Sequence, residues 1–115
     1  MLSKQHRFHG HGSLNYVYRS GMIVRSPYCA MKFVVGKTNT YRVAVVVAKK
    51  VDGSAIKRNR IRRRVFEAIR QQAEGLLTNQ DIVVNVFDGR FLTMPYDEML
   101  QSIKRQLREI ARATC

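Results

Sequence analysis

The chain has 115 residues, 45% of them hydrophobic, with 21 Lys plus Arg against 8 Asp plus Glu and a formal charge of +13. That length makes one domain able to bury about two-thirds of its unfolded surface without staples, the apolar content excludes wholesale disorder, and the charge favours polyanionic partners, nucleic acid ahead of a membrane surface. The longest apolar run, 43–48, is too short for a bilayer span, residues 1–12 lack the apolar stretch of a secretory signal, and two cysteines 86 positions apart make no disulfide framework. A reducing, cytoplasmic setting fits.

Residues 1–12 are polar, basic, His-containing and broken by glycine, and read as an arm ahead of one domain over 13–115. Ser13 is a candidate N-cap for a short helix reaching Ser20, with Leu14, Val17 and Tyr18 on one face and Gly21 expected in the left-handed region as its terminator. Strand-like stretches follow at 22–25, 28–35 and 41–50. The last two form a predicted hairpin across the 36–40 turn, and the unbroken centre Val43 to Ala48 suits a strand covered on both faces. After a turn at 52–55, a long helix is expected over about 56–77, with Ile61, Val65, Ala68, Ile69, Gln72 and Leu76 in one sector. Residues 81–87 read as a further strand ending at Asp88-Gly89. Pro95 opens a last helix striped by Met99, Ile103, Leu107 and Ile110. Its acids Asp97 and Glu98 stand at the start and Arg108 and Arg112 near the end, as the helix dipole prefers. This order predicts an α+β sandwich with helices against a small sheet.

The chemistry concentrates in residues 49–64, KKVDGSAIKRNRIRRR. Eight of these 16 residues are basic (Lys49, Lys50, Lys57, Arg58, Arg60, Arg62, Arg63, Arg64) and one, Asp52, is acidic, a net +7. Like charges meet at Arg58/Arg62 and Arg60/Arg64 (i, i+4) and at Lys57/Arg60 and Arg60/Arg63 (i, i+3), a repulsion of roughly 1–2 kcal/mol in all. They also crowd the helix end whose dipole disfavours cations. A bound polyanion reverses both penalties, because phosphates suit helix N-termini and arginine forks alike. On the wheel Arg58 shares the sector of Ile61 and Val65, while Arg60 and Arg63 project outward.

Lys49-Lys50, Ala55-Ile56 and Arg58-Asn59-Arg60-Ile61-Arg62-Arg63 together resemble the signature of the bacterial ribonuclease P protein subunit, roughly K-K-x-G-x-A-V-x-R-N-R-x-K-R. The resemblance covers most of the chain and extends to Arg7-Phe8, the short helix closing at Gly21, the strand at Asp81 and the helix opening Tyr96-Asp97-Glu98-Met99-Leu100. It implies a single-domain α-β-β-β-α-β-α sandwich with a small mixed sheet and a left-handed βαβ crossover, against the usual hand. It further implies the small protein partner of a catalytic RNA, in a holoenzyme that removes the 5′ leader of precursor tRNA by Mg²⁺-dependent endonucleolytic cleavage. The Mg²⁺ is held mainly by the RNA and the substrate phosphates, the RNA carries the catalysis, the protein alone is inactive, and no obligate protein partner or membrane is involved.

Carried over by position, Lys49, Lys50, Arg58, Asn59, Arg60, Arg62 and Arg63 match RNA-contacting positions, with Arg64 as an addition. A cleft for the single-stranded leader would draw on Arg7, Leu14, Tyr18, Tyr28 and Lys32, with Tyr18 as a stacking platform and Tyr28 and Lys32 on one strand face as its floor. The chain departs from the family pattern at Leu14, where an aromatic is usual, in the longer turn at Asp52-Gly53-Ser54, and at Arg64 and Phe66, where apolar and basic residues are usual.

Other chemistries find less support. His6, His9 and His11 could reach one metal ion, but no thiolate or carboxylate lies nearby in sequence. Asp52, Glu67, Glu74 and Asp81 show no paired acid/base spacing, Cys29 reads as core, and no P-loop or GxSxG is present. The alternative of another class is a structural RNA-binding protein of ribosomal type. A small DNA-binding protein is disfavoured for want of helix-turn-helix spacing.

Overall fold

In the computed structural model, which describes residues 16–19, 21–36 and 39–114, the doubly covered strand is a different one from that expected. The chain runs through α1 (16–19), β1 (Met22–Arg25), β2 (Cys29–Val35), β3 (Arg42–Val47), α2 (Ala55–Ala73), β4 (Gln80–Val86), a 3-10 turn (Gly89–Leu92) and α3 (Tyr96–Ala113). The sheet order is β1-β2-β4-β3. β1 and β4 each pair antiparallel with β2, while β3 pairs parallel with β4. The expected hairpin between β2 and β3 therefore does not form. β4 inserts between them, and the tight antiparallel connection is the one from β1 to β2.

Central position explains the burial. Six of the seven β4 residues are buried, whereas β3, at the edge, buries Val43, Val45 and Val47 and exposes Val46. An apolar run reports affinity for a core but not how many faces its neighbours cover. The parallel β3–β4 pair needs a crossover connection, and α2 supplies it.

One face of the sheet (Met31, Phe33, Val43, Val45, Val47, Ile82, Val84, Val86) packs on α2 and α3 in one apolar cluster. From α3 come Met99, Ile103, Leu107 and Ile110, all fully buried as the stripe predicts, worth roughly 1.5–3 kcal/mol each. From α2 come Ile61, Val65, Phe66, Ala68, Ile69 and Ala73. Phe66 thus fills core. α2 ends at Ala73 rather than near Leu77, because Glu74 turns extended and Gly75 adopts φ +84°, a conformation open to glycine. Leu77 still packs into the core from the turn that follows.

Two polar residues are built into this side. Gln106 is buried; its Nε2 donates to the carbonyls of Val24 (3.1 Å) and Cys29 (3.3 Å), and its Oε1 accepts from Cys29 Sγ (3.2 Å). This ties α3 to the β1–β2 hairpin and leaves no orphaned amide group in the core. Burial pushes the Cys29 thiol up to about 11, so Cys29 is the core residue expected.

The opposite face carries Ile23 and Arg25 of β1, Ala30, Lys32 and Val34 of β2, Asp81, Val83 and Asn85 of β4, and Arg42, Ala44 and Val46 of β3, as the registers fix. α1 crosses it, Val17 packing on Val83 beside Val34 and Ala44. Gly21 closes α1, its N–H donating to the Val17 carbonyl at 2.8 Å. Its φ is not positive, contrary to expectation. Space demands the glycine instead, since a Cβ there would stand 2.5 Å from the Val17 carbonyl oxygen and 3.0 Å from that of Phe33.

Candidate nucleic-acid interface

The basic segment starts where β3 ends. Lys49 and Lys50 sit exposed in the turn leaving the sheet, which closes with Val51 N–H donating to the Ala48 carbonyl (3.0 Å). Asp52 then organises the approach to α2. Its Oδ1 accepts from Ser54 N–H (2.9 Å), and Ser54 Oγ accepts from Lys57 N–H (3.3 Å) as the N-cap. The sole carboxylate of the segment is thereby turned to the backbone. Among the described residues the ion pairs are Arg42–Asp81, Arg70–Glu67 and Arg90–Asp88, and none involves a cation of 49–64. The first turn of α2 holds no acid.

The cations divide by task. Lys49, Lys50, Lys57, Arg60 and Arg63 are exposed together with Asn59, and Arg62 is half-buried. Arg58 folds back, Nη1 donating to the Asp52 carbonyl at 2.9 Å, which braces the loop and leaves the rest of its fork available. Arg64 has a structural job. Its Nη1 donates to the carbonyls of Phe91 (2.9 Å) and Leu92 (2.8 Å), and its Nη2 to that of Met94 (2.6 Å). One guanidinium therefore clamps the 3-10 turn to α2, an internal role that the sequence did not indicate. A carbonyl cluster near a helix side favours the planar multi-donor fork over an ammonium.

On the α1 face the polar side chains converge on Tyr18. Its hydroxyl donates to Asn85 Oδ1 at 3.0 Å. Lys32 Nζ lies 5.3 Å from the ring centroid and donates to the Tyr18 carbonyl at 3.4 Å. With Val17 holding α1 over Val83, the face stays open toward the carboxyl ends of β3 and β4, where Val46 is 38% exposed and Tyr18 37%. That end is also where Lys49 and Lys50 emerge and α2 begins, so a part-exposed aromatic ring and a cation cluster lie toward the same end of the sheet. Farther along this face Arg42 Nε and Nη2 donate to Asp81 Oδ1 (2.9 Å) and Oδ2 (2.7 Å), a pairing across the parallel register.

Tyr28 does not share this floor with Lys32. It precedes β2, and its ring packs 5.1 Å from that of Phe91, with the Arg90 guanidinium 4.8 Å from its centroid. The turn 26–28, held by Ser26 Oγ accepting from the N–H groups of Tyr28 and Cys29 (3.2 Å each), breaks the alternation that would have placed Tyr28 beside Lys32. Arg7, Leu14 and the three histidines lie outside the described residues. Among the described ones, no group of three or more His, Cys, Asp or Glu could hold a metal ion, and no helix is long and apolar enough to cross a membrane.

A family model described as ribonuclease P matches residues 2–111. The chain belongs to the ribonuclease P protein family. A ribonuclease P protein component from Coprothermobacter proteolyticus is 37% identical over 78 residues, 68% of this chain and 63% of that protein. One from a Pseudanabaena species is 34% identical over 87 residues, 75% of each chain. The fold agrees with solved ribonuclease P proteins. That of Thermotoga maritima superposes with a TM-score of 0.81 at 21% identity, over 90% of this chain and 96% of that one. That of Staphylococcus aureus gives 0.78 at 21% identity, over 91% and 94%. Within the ribonuclease P protein fold, the structure brings Tyr18 and Lys32 together and separates Tyr28 from them. Asn85 is the site residue that sequence reasoning missed. The signal was present as one amide within the apolar run 82–86.

Proposed function

We propose that the chain is the protein subunit of ribonuclease P. The exposed cations Lys49, Lys50, Arg60 and Arg63, with half-buried Arg62 and exposed Asn59 among them, meet the catalytic RNA, and the sheet face beside Tyr18 receives the single-stranded 5′ leader of precursor tRNA. The observation that carries this reading is the absence of any carboxylate partner for the cations of 49–64 among the described residues. Uncompensated charge at a helix N-terminus is costly until an anion arrives.

The protein's share is binding and orientation. Arginine forks and lysines neutralise phosphates and fix register without reading sequence, and the Tyr18 ring offers a stacking surface for an unpaired base. Hydrolysis of one phosphodiester belongs to the RNA and its bound Mg²⁺. The protein alone is inactive on this reading. A ribosomal-type scaffold would account for the cations but not for a part-exposed aromatic ring flanked by Lys32 on the sheet face.

Reconstitution is the test. Purified protein added to a bacterial-type ribonuclease P RNA at low Mg²⁺ should restore precursor-tRNA cleavage, and the holoenzyme should bind precursor more tightly than mature tRNA. Equal binding of the two would leave only the scaffold reading.

A further inference from the structure

From Ile82 to Val86, β4 is valine and isoleucine except at Asn85, the one half-buried residue of the strand. Its cross-strand neighbours on the same face, Ala30 and Val46, have no polar side-chain atom to offer it. Among the described residues, its side chain's one polar contact is the bond that Oδ1 accepts from the Tyr18 hydroxyl. A carboxamide has an acceptor end and a donor end. With the oxygen turned to Tyr18, the NH₂ group is turned away and meets no protein acceptor among the described residues. Exposed apolar surface flanks it, at Val46, at Tyr18 and, two residues along the chain, at Phe87, which is 47% exposed. The Lys32 ammonium stands on the same face beside the Tyr18 ring.

We infer that Asn85 reads a base of the bound leader, and that Tyr18 decides what it reads by fixing the amide with its donors outward. The inference rests on the leader reading above and adds a specificity to it. The frame suits one nucleotide, with its base against the Tyr18 ring, its phosphate near Lys32 and its edge at the Asn85 amide. A donor-only amide favours bases that present a carbonyl oxygen at C4 or C6, uridine and guanosine, over those that carry an amino group there, cytidine and adenosine. Adenosine is disfavoured, because an asparagine that holds it bidentately must present oxygen and nitrogen side by side, and here the oxygen is engaged by Tyr18.

The experiment uses holoenzyme reconstituted from the full chain and a bacterial-type ribonuclease P RNA, acting on precursor tRNA with a randomised leader. Relative kcat/KM for each leader is read by sequencing the uncleaved fraction, so all leaders compete in one tube and only folded, active enzyme contributes. At one leader position uridine and guanosine should outrun adenosine by about five-fold, the scale of one net hydrogen bond. Asn85→Asp, which presents acceptors only, should invert the order toward adenosine and cytidine. Tyr18→Phe keeps the ring but releases the amide, and should shrink the preference to under about two-fold. Absence of a preference at every leader position, or a preference unchanged by both variants, overturns the inference. In either case tighter binding of precursor than of mature tRNA would still stand, so base reading and leader binding fail separately.

Discussion

The two long helices make opposite use of charge. α3 has Asp97 and Glu98 in its first turn and Arg112 in its last, so its ionised groups support its own dipole. α2, of nearly equal length, has no acid in its first turn and gathers Lys57, Arg58, Arg60, Arg62, Arg63 and Arg64 within its first ten residues. The structure relieves part of that strain from within. Arg58 turns to the Asp52 carbonyl and Arg64 to three carbonyls around the 3-10 turn, which draws two of the six guanidinium or ammonium groups out of the repulsive array. The rest have no side-chain partner among the described residues. α3 is therefore electrostatically complete in the free protein, whereas α2 is completed by something that brings phosphate.

Matched neutralisation of the two helices tests this contrast most severely. Replacing Arg60, Arg62 and Arg63 together by Ala should lower the log–log salt slope of RNA binding by about 2–2.7, at 0.7–0.9 per lost phosphate contact. The same treatment of Lys104, Arg108 and Arg112 on α3 should change it by less than about 1. For the unaltered chain, the five outward cations Lys49, Lys50, Arg60, Arg62 and Arg63 predict a slope of about −3.5 to −4.5. Filter binding across a KCl series measures all three, and an equal drop for both triples would erase the distinction between the helices.

Arg64 sharpens it from the other side. Arg64→Ala strands three carbonyls and should cost about 2–3 kcal/mol in urea unfolding, while the salt slope of RNA binding moves by less than one contact's worth. A stable variant with a flattened slope would return Arg64 to the RNA-binding set. The smallest effect has the most telling sign. Lys57→Glu places a carboxylate in the empty first turn of α2 and should stabilise the free protein by about 0.3–1 kcal/mol, yet weaken RNA binding. Loss of both stability and affinity would mean that the charge pattern serves the fold after all.

Much of this was legible along the chain. The α3 stripe needed only helical periodicity, and all four of its residues are buried. The basic start of α2 needed only charge counting and the direction of a helix dipole. Periodicity failed where spatial neighbours decide. β3 has the longer apolar run, yet β4 is central, because burial of both faces comes from what lies beside a strand and on it. Alternation failed at Tyr28, where a Ser26-capped turn redirects the ring to Phe91. Arg64 looked like one more cation because its carbonyl partners lie 27 to 30 residues further on. Asn85 looked like a minor interruption because its partner Tyr18 is 67 positions away.

Local composition by itself settled which segments would be helix or strand, where positive charge would collect, and that the collected charge opposed the helix bearing it. Those are short-range properties of neighbouring residues, set by propensity, period and Coulomb repulsion over a turn or two. The tertiary structure alone decided which strand became central, which arginine turned inward, and which way the Asn85 amide faces. Each of those depends on atoms brought together by chain closure, so nothing within reach of one segment could fix them.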